Sequence, residues 1–134
     1  MMRILIAALS AMSLFALPLH AQPPLREVAK IDNALLDLGI ADVIRKNCPT
    51  ISARALKAVF YVRSLQSEAR AMGYSDAEIE AYTDSDAEKA RMRKRGEAFF
   101  AARGVDTSDP QSYCALGQAE IEKSSRIGSL LRAK

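Results

Sequence analysis

Tryptophan is absent from this chain, histidine occurs once, cysteine twice, and aromatic residues make up 6% of the 134 positions. Each scarcity removes a chemistry. The one histidine, His20, falls inside an N-terminal leader, so the remainder offers no imidazole base for a Ser–His or Cys–His nucleophile. Two cysteines without histidine are too few for the usual zinc ligand sets. No Cys-x-x-Cys is present, which excludes thioredoxin-like exchange and covalent haem attachment. There is no glycine-rich phosphate loop, and without tryptophan the chain lacks a common platform for stacking sugars. Valine and isoleucine never cluster and no stretch alternates with period two, so no sheet is expected. No cofactor and no metal are expected either.

What is present begins with a leader. Arg3 supplies a positive start, Ile4 to Leu17 is an apolar run broken only by Ser10 and Ser13, and Pro18-Leu19-His20-Ala21 gives a helix breaker and a small residue before Gln22. The run is about 14 residues, short of the roughly 20 that span a bilayer as a helix. Residues 1–21 are therefore read as a cleavable signal peptide, and 22–134 as a single domain without a transmembrane segment. The formal charge of +3 falls by one when Arg3 leaves. That slight basic excess is too small to point to nucleic acid. The expected location is the periplasm or the exterior, where disulfides persist. Cys48 and Cys114 are accordingly expected to form a structural disulfide, with a redox-active thiol or an intermolecular bridge as the alternatives.

The domain reads as an all-α bundle of four to five helices. Leu25, Val28, Ile31, Leu35, Leu38, Ile40, Val43 and Ile44 give a helical stripe over 25–46, stopped by Asn47-Cys48-Pro49. A second helix starts at Thr50 or Ser52 and runs to Met72, with Leu56, Val59, Phe60, Val62 and Leu65 as its buried side and Gly73 beyond its end. Ser75-Asp76-Ala77-Glu78 matches a capping box flanked by Tyr74 and Ile79 as a hydrophobic staple, and Ser85-Asp86-Ala87-Glu88 repeats the box. These starts predict a short helix over 76–83 and a longer one to Arg103. Asp109-Pro110 opens a last helix to Leu131, with Tyr113, Leu116, Ile121, Ile127 and Leu131 inward. Gly117, Ser124 and Gly128 on that segment would let a neighbouring helix come close.

Carboxylates are the main catalytic option left. Glu78, Glu80, Asp84, Asp86 and Glu88 could hold a glycosidase acid and its partner, but such an acid needs an apolar cleft to raise its pKa. The plainer reading is that these acids complement two helix N-termini. An EF-hand begun at Asp84 would need glycine sixth and glutamate twelfth, where Lys89 and Arg95 stand, so calcium is not expected. Lys89, Arg91, Arg93, Lys94 and Arg95 form a basic collar. It is either a solvated surface or a contact for anionic headgroups, cell-wall polymer or an acidic partner.

Ile44-Arg45-Lys46-Asn47-Cys48-Pro49-Thr50-Ile51-Ser52-Ala53-Arg54, Gly73-Tyr74-Ser75-Asp76-Ala77-Glu78-Ile79 and Asp109-Pro110-Gln111-Ser112-Tyr113-Cys114-Ala115-Leu116-Gly117, the last continuing to Leu131, together resemble a family of small secreted bacterial proteins of unknown function. The resemblance spans the chain after the leader. It carries over no catalytic residue, and it implies that the matching cysteines form a disulfide. Relatives are sometimes encoded beside subunits of a respiratory NADH dehydrogenase, which implies a periplasmic accessory role. The expected function is thus non-enzymatic: a helical binding or accessory protein of the cell envelope, in contact with another protein or an envelope component. An immunity protein or an acid-stress periplasmic chaperone is the alternative, and a carboxylate-dependent cell-wall hydrolase the third.

Overall fold

The structure, a computed structural model, describes residues 21–134. The leader read over 1–21 lies, apart from Ala21, outside the described residues. A 3₁₀ turn at Leu25–Glu27 leads into helix α1 (Ala29–Asn47), followed by strand β1 (Ile51–Ala53), helices α2 (Ala55–Ala71), α3 (Asp76–Asp84), α4 (Asp86–Ala102), α5 (Pro110–Glu122) and α6 (Arg126–Ser129), and strand β2 (Leu131–Ala133). The all-α class holds. The sixth helix is the single turn α6, which arises where one long final helix was expected.

Helix α1 is the axis. Its stripe feeds two buried clusters, one containing Ile40, Ile44, Cys48, Ile51, Phe100, Tyr113, Ile127 and Leu131, the other Leu25, Ile31, Ala34, Leu65, Ala69, Tyr74 and Ile79. The first cluster surrounds the Cys48–Cys114 disulfide, whose Cα atoms are 5.1 Å apart. The bond joins the C-cap of α1 to α5. Gly117 lets these two helices approach, since a Cβ there would meet Ile51 Cδ1 at 2.5 Å and Ile44 Cγ2 at 2.7 Å. The capping signals act as written. Ser75 Oγ accepts from Glu78 N at 3.1 Å and Glu78 Oε2 from Ser75 N at 2.7 Å, while Tyr74 and Ile79 share a cluster. Asp109 Oδ1 accepts from Gln111 N at 3.0 Å with Pro110 at the first helical position.

Three expectations are corrected. The final helix does not reach Leu131. Ser124 takes a left-handed φ of 51°, and Ser125 then caps α6, its Oγ accepting from Gly128 N at 3.0 Å. Gly128 packs directly on the end of α5, where a Cβ would lie 1.9 Å from the Glu120 carbonyl oxygen. Second, a sheet exists. β1 and β2 pair antiparallel with Ile51 opposite Ala133 and Ala53 opposite Leu131. Three-residue strands are too short to display a period of two, and they pair because the reversal at Ser124 returns the C-terminus to the α1 corner.

Third, of the five residues expected on the buried side of α2 only Leu65 is buried, and the helix turns a different line inward. Leu65 and Ala69 are buried, and Ala58 and Tyr61 pack against the clusters. Leu56, Val59, Phe60 and Val62 are exposed. Ala58, Tyr61, Leu65 and Ala69 form one helical line and Leu56, Phe60, Arg63 and Ser67 another. The line with small residues wins the close contact with α1, leaving the bulkier apolar line outside.

Two stability measurements follow. Replacing both Cys48 and Cys114 by alanine should lower the unfolding free energy by on the order of 4 kcal/mol, read by urea denaturation under non-reducing conditions; no change would mean that the bridge does not constrain the chain. Gly128→Ala should cost about 3 kcal/mol by the same measurement, because the added methyl meets backbone rather than a flexible side chain.

Candidate functional site

The side chains carrying the most electrostatic structure meet where α4 crosses the first half of α1. Asp32 lies on the apolar side of α1, between Ile31 and Leu35, and is only 5% exposed. A carboxylate in that position must be paired. Arg91 and Arg95, four apart and so on one face of α4, both reach it, Arg91 Nη1 donating to Oδ2 at 3.2 Å and Arg91 Nη2 to Oδ1, with Arg95 Nη1 donating to Oδ2 at 2.5 Å. The Tyr82 hydroxyl, from α3, donates to Asp32 Oδ1. Arg95 Nη2 also donates to Asn33 Oδ1 at 2.8 Å. Glu88 extends the network, accepting from Arg91 Nε at 2.7 Å and pairing with Arg26 Nε at 3.3 Å.

Burial pushes the Asp32 carboxyl up, but hydrogen bonds from Arg91 and Tyr82 and the charges of both arginines outweigh it and hold the group below the ordinary carboxylate range. Burial, reinforced by the Asp32 carboxylate, pushes the Tyr82 hydroxyl up, so it remains a donor. The bond to Asp32 raises the Arg91 guanidinium further above its already high value. All three groups therefore keep fixed protonation states through neutral pH. The arrangement holds charge in place and has no proton ready to move.

The basic collar thus divides. Arg91 and Arg95 turn onto Asp32. Lys89 and Arg93 are exposed on the wall of a groove between α1 and α4, and Lys94 is exposed. Of the five carboxylates considered for hydrolysis, Glu78 and Glu88 are both engaged. Backbone and side-chain hydrogen bonds with Ser75 lower the Glu78 pKa at a fully exposed position, opposite to what a general acid requires. Glu88 is held by two arginines. Its engagement also explains why the second capping box is half-formed: Ser85 Oγ accepts from Glu88 N at 3.2 Å, while the Glu88 carboxylate goes to Arg26 and Arg91. A second buried carboxylate, Glu120, accepts from Lys123 Nζ at 2.7 Å and from Ser125 Oγ. It closes the α5–α6 reversal. Among the described residues no three His, Cys, Asp or Glu side chains are grouped to hold a metal ion, and no helix is long and apolar enough to cross a membrane.

Asp32 and Tyr82 were not singled out from the sequence. The available signal was a carboxylate within the apolar stripe Val28, Ile31, Leu35, matched by two arginines at a four-residue spacing.

These features define a small helical domain bridged by a disulfide, with charge used to position one helix on another. More particularly, the chain matches over residues 23–132 a family of unknown function (DUF5333), and it belongs to that family. No curated protein and no solved structure matches it.

Because the folded-state pKa of Asp32 lies below its unfolded value of about 3.9, its ionised form stabilises the fold in full above that pH. The contribution is lost as pH falls through the folded value. Asp32→Asn should therefore destabilise the protein by about 2–3 kcal/mol at pH 7, less than a fully buried pair would lose because Arg91 and Arg95 are partly solvated. The variant should also show a shallower fall in melting temperature between pH 5 and pH 2. Parallel pH slopes for variant and wild type would refute the assignment.

Proposed function

We propose that this is an exported, non-enzymatic accessory protein of the cell envelope that docks a protein partner through the outer face of α2. The carrying observation is that Leu56 is 76% and Phe60 65% exposed on one continuous helix line, with Val59 beside them. Contiguous apolar exposure of this kind marks interaction surfaces on small domains. Lys57 and Arg63 flank the patch and are exposed. Among the described residues neither pairs with a carboxylate, whereas the neighbouring Arg70 is held by Asp76 at 2.6 Å. The partner chemistry that fits is an apolar contact with an acidic rim. The disulfide suits an oxidising compartment, which supports the periplasmic or extracellular reading. A respiratory membrane complex is the first assembly to test, on the strength of the family resemblance. Engagement of Glu78 and Glu88 in structural contacts weighs against the hydrolase alternative.

A photo-crosslinking residue at Val59 in living cells should capture one discrete envelope protein. Changing Leu56 and Phe60 to glutamate in that background should reduce the adduct about tenfold without lowering thermal stability, since exposed side chains contribute little to folding. Recovery of lipid alone would mean that the face meets a bilayer and not a protein.

A further inference from the structure

The groove between α1 and α4 is a second recognition feature, separate from α2. It has a volume of about 550 Å³, within the range of about 300–1,000 Å³ typical of small-molecule sites. Leu35, Ile40 and Val43 from α1 and Met92 and Phe100 from α4 give it apolar walls, with Tyr113 of α5 at its inner end. Two helix-interior glycines, Gly39 and Gly96, line it from opposite helices. Glycine in a helix interior is destabilising relative to alanine. Neither position has a positive φ, and a Cβ at either would meet nothing within 4 Å. Neither backbone geometry nor close packing requires glycine there. What the two glycines do is keep the groove wide.

The rim supplies a sign. Lys89 and Arg93 lie one turn apart on the groove wall, and among the described residues neither has a carboxylate partner. Of the two acids on the lining, Asp42 is neutralised by Arg45 and Lys46, each at 2.5 Å. Glu97 stands one turn beyond Arg93 and repels an anion placed near it. An anionic group therefore fits at the Lys89 end, with its apolar part running past Gly96 toward Phe100, Val105 and Tyr113. We propose that this groove binds a single-chain anionic amphiphile, with a carboxylate or phosphate head at Lys89 and Arg93 and an acyl chain between α1 and α4.

The experiment uses the full-length gene product, exported by its own leader and purified after export, titrated calorimetrically with oleate, with oleoyl lysophosphatidate and with uncharged oleyl alcohol. Saturable one-to-one binding of at least one of the two anions is expected, and their relative affinities separate a fatty-acid from a phospholipid source. Gly96→Leu, whose Cβ would meet nothing within 4 Å and whose side chain would project into the groove, should weaken binding about tenfold or more with the melting temperature kept; Gly39→Leu repeats the test from the other helix. Changing Lys89 and Arg93 to glutamate should weaken the anions about tenfold and leave the alcohol unchanged. Absence of saturable binding, indifference to both leucine substitutions, or equal affinity for oleyl alcohol and the anions would overturn the proposal. So would binding abolished by glutamates at Leu56 and Phe60, which would move the ligand to α2. The α2 docking reading stands or falls by its own crosslink, independently of this titration.

Discussion

One buried carboxylate decides how this molecule is put together. Helix α4 is charged along most of its length and contributes a single buried side chain, Phe100, to the apolar core. Phe100 docks edge-on against Tyr113, ring centroids 5.4 Å apart, which fixes the C-terminal end. The N-terminal half has no such anchor. It is held to α1 because Asp32 cannot be buried unpaired, and Arg91, Arg95 and Tyr82 are the groups that meet its oxygens. A buried ion pair of this kind need not add net stability relative to an apolar contact of the same shape. What it adds is position: it sets where α4 crosses α1 and which of its basic residues remain outside.

The other consequences descend from that placement. With α4 pinned at its two ends, the middle of the α1–α4 contact is spanned by glycines on both sides and stays open. With Arg91 and Arg95 drawn onto Asp32, Lys89 and Arg93 are the basic residues left facing the opening. The disulfide and the α5–α6 reversal stabilise the opposite end, where Cys48, Gly117 and Gly128 sit among the tightest contacts of the fold. The domain is therefore stiff at one end through covalent and steric constraint. Elsewhere it is held by the second apolar cluster and, along the N-terminal half of α4, by charge; the α2 face lies away from the disulfide, while the groove reaches the disulfide cluster at Ile40, Phe100 and Tyr113.

Features of short range were legible in the sequence. The capping box at Ser75, the Asp109-Pro110 start and the stop at Asn47-Cys48-Pro49 each depend on neighbours within a turn, and the structure places each where the residues put it. The pairing of Cys48 with Cys114 followed from their even count and from the compartment expected from the leader. What stayed hidden required knowledge of neighbours distant in sequence. Helix α2 carries two apolar lines, and choosing between them depends on the shape of α1. Strands of three residues have no readable period, and β2 forms only because Ser124 adopts a left-handed backbone, a choice serine does not announce. The collar at 89–95 looked uniform because charge alone does not reveal which arginines have a buried acid waiting 59 and 63 positions away.

The account rests on Asp32 holding α4 in place, and amide hydrogen exchange at neutral pH tests this most directly. Comparing wild type with Asp32→Asn, protection should fall selectively across residues 86–95 while α1 and the disulfide-bridged start of α5 keep theirs, because only the ionic end of α4 is released. Equal protection in both proteins, or a uniform loss over all helices, would contradict the central claim.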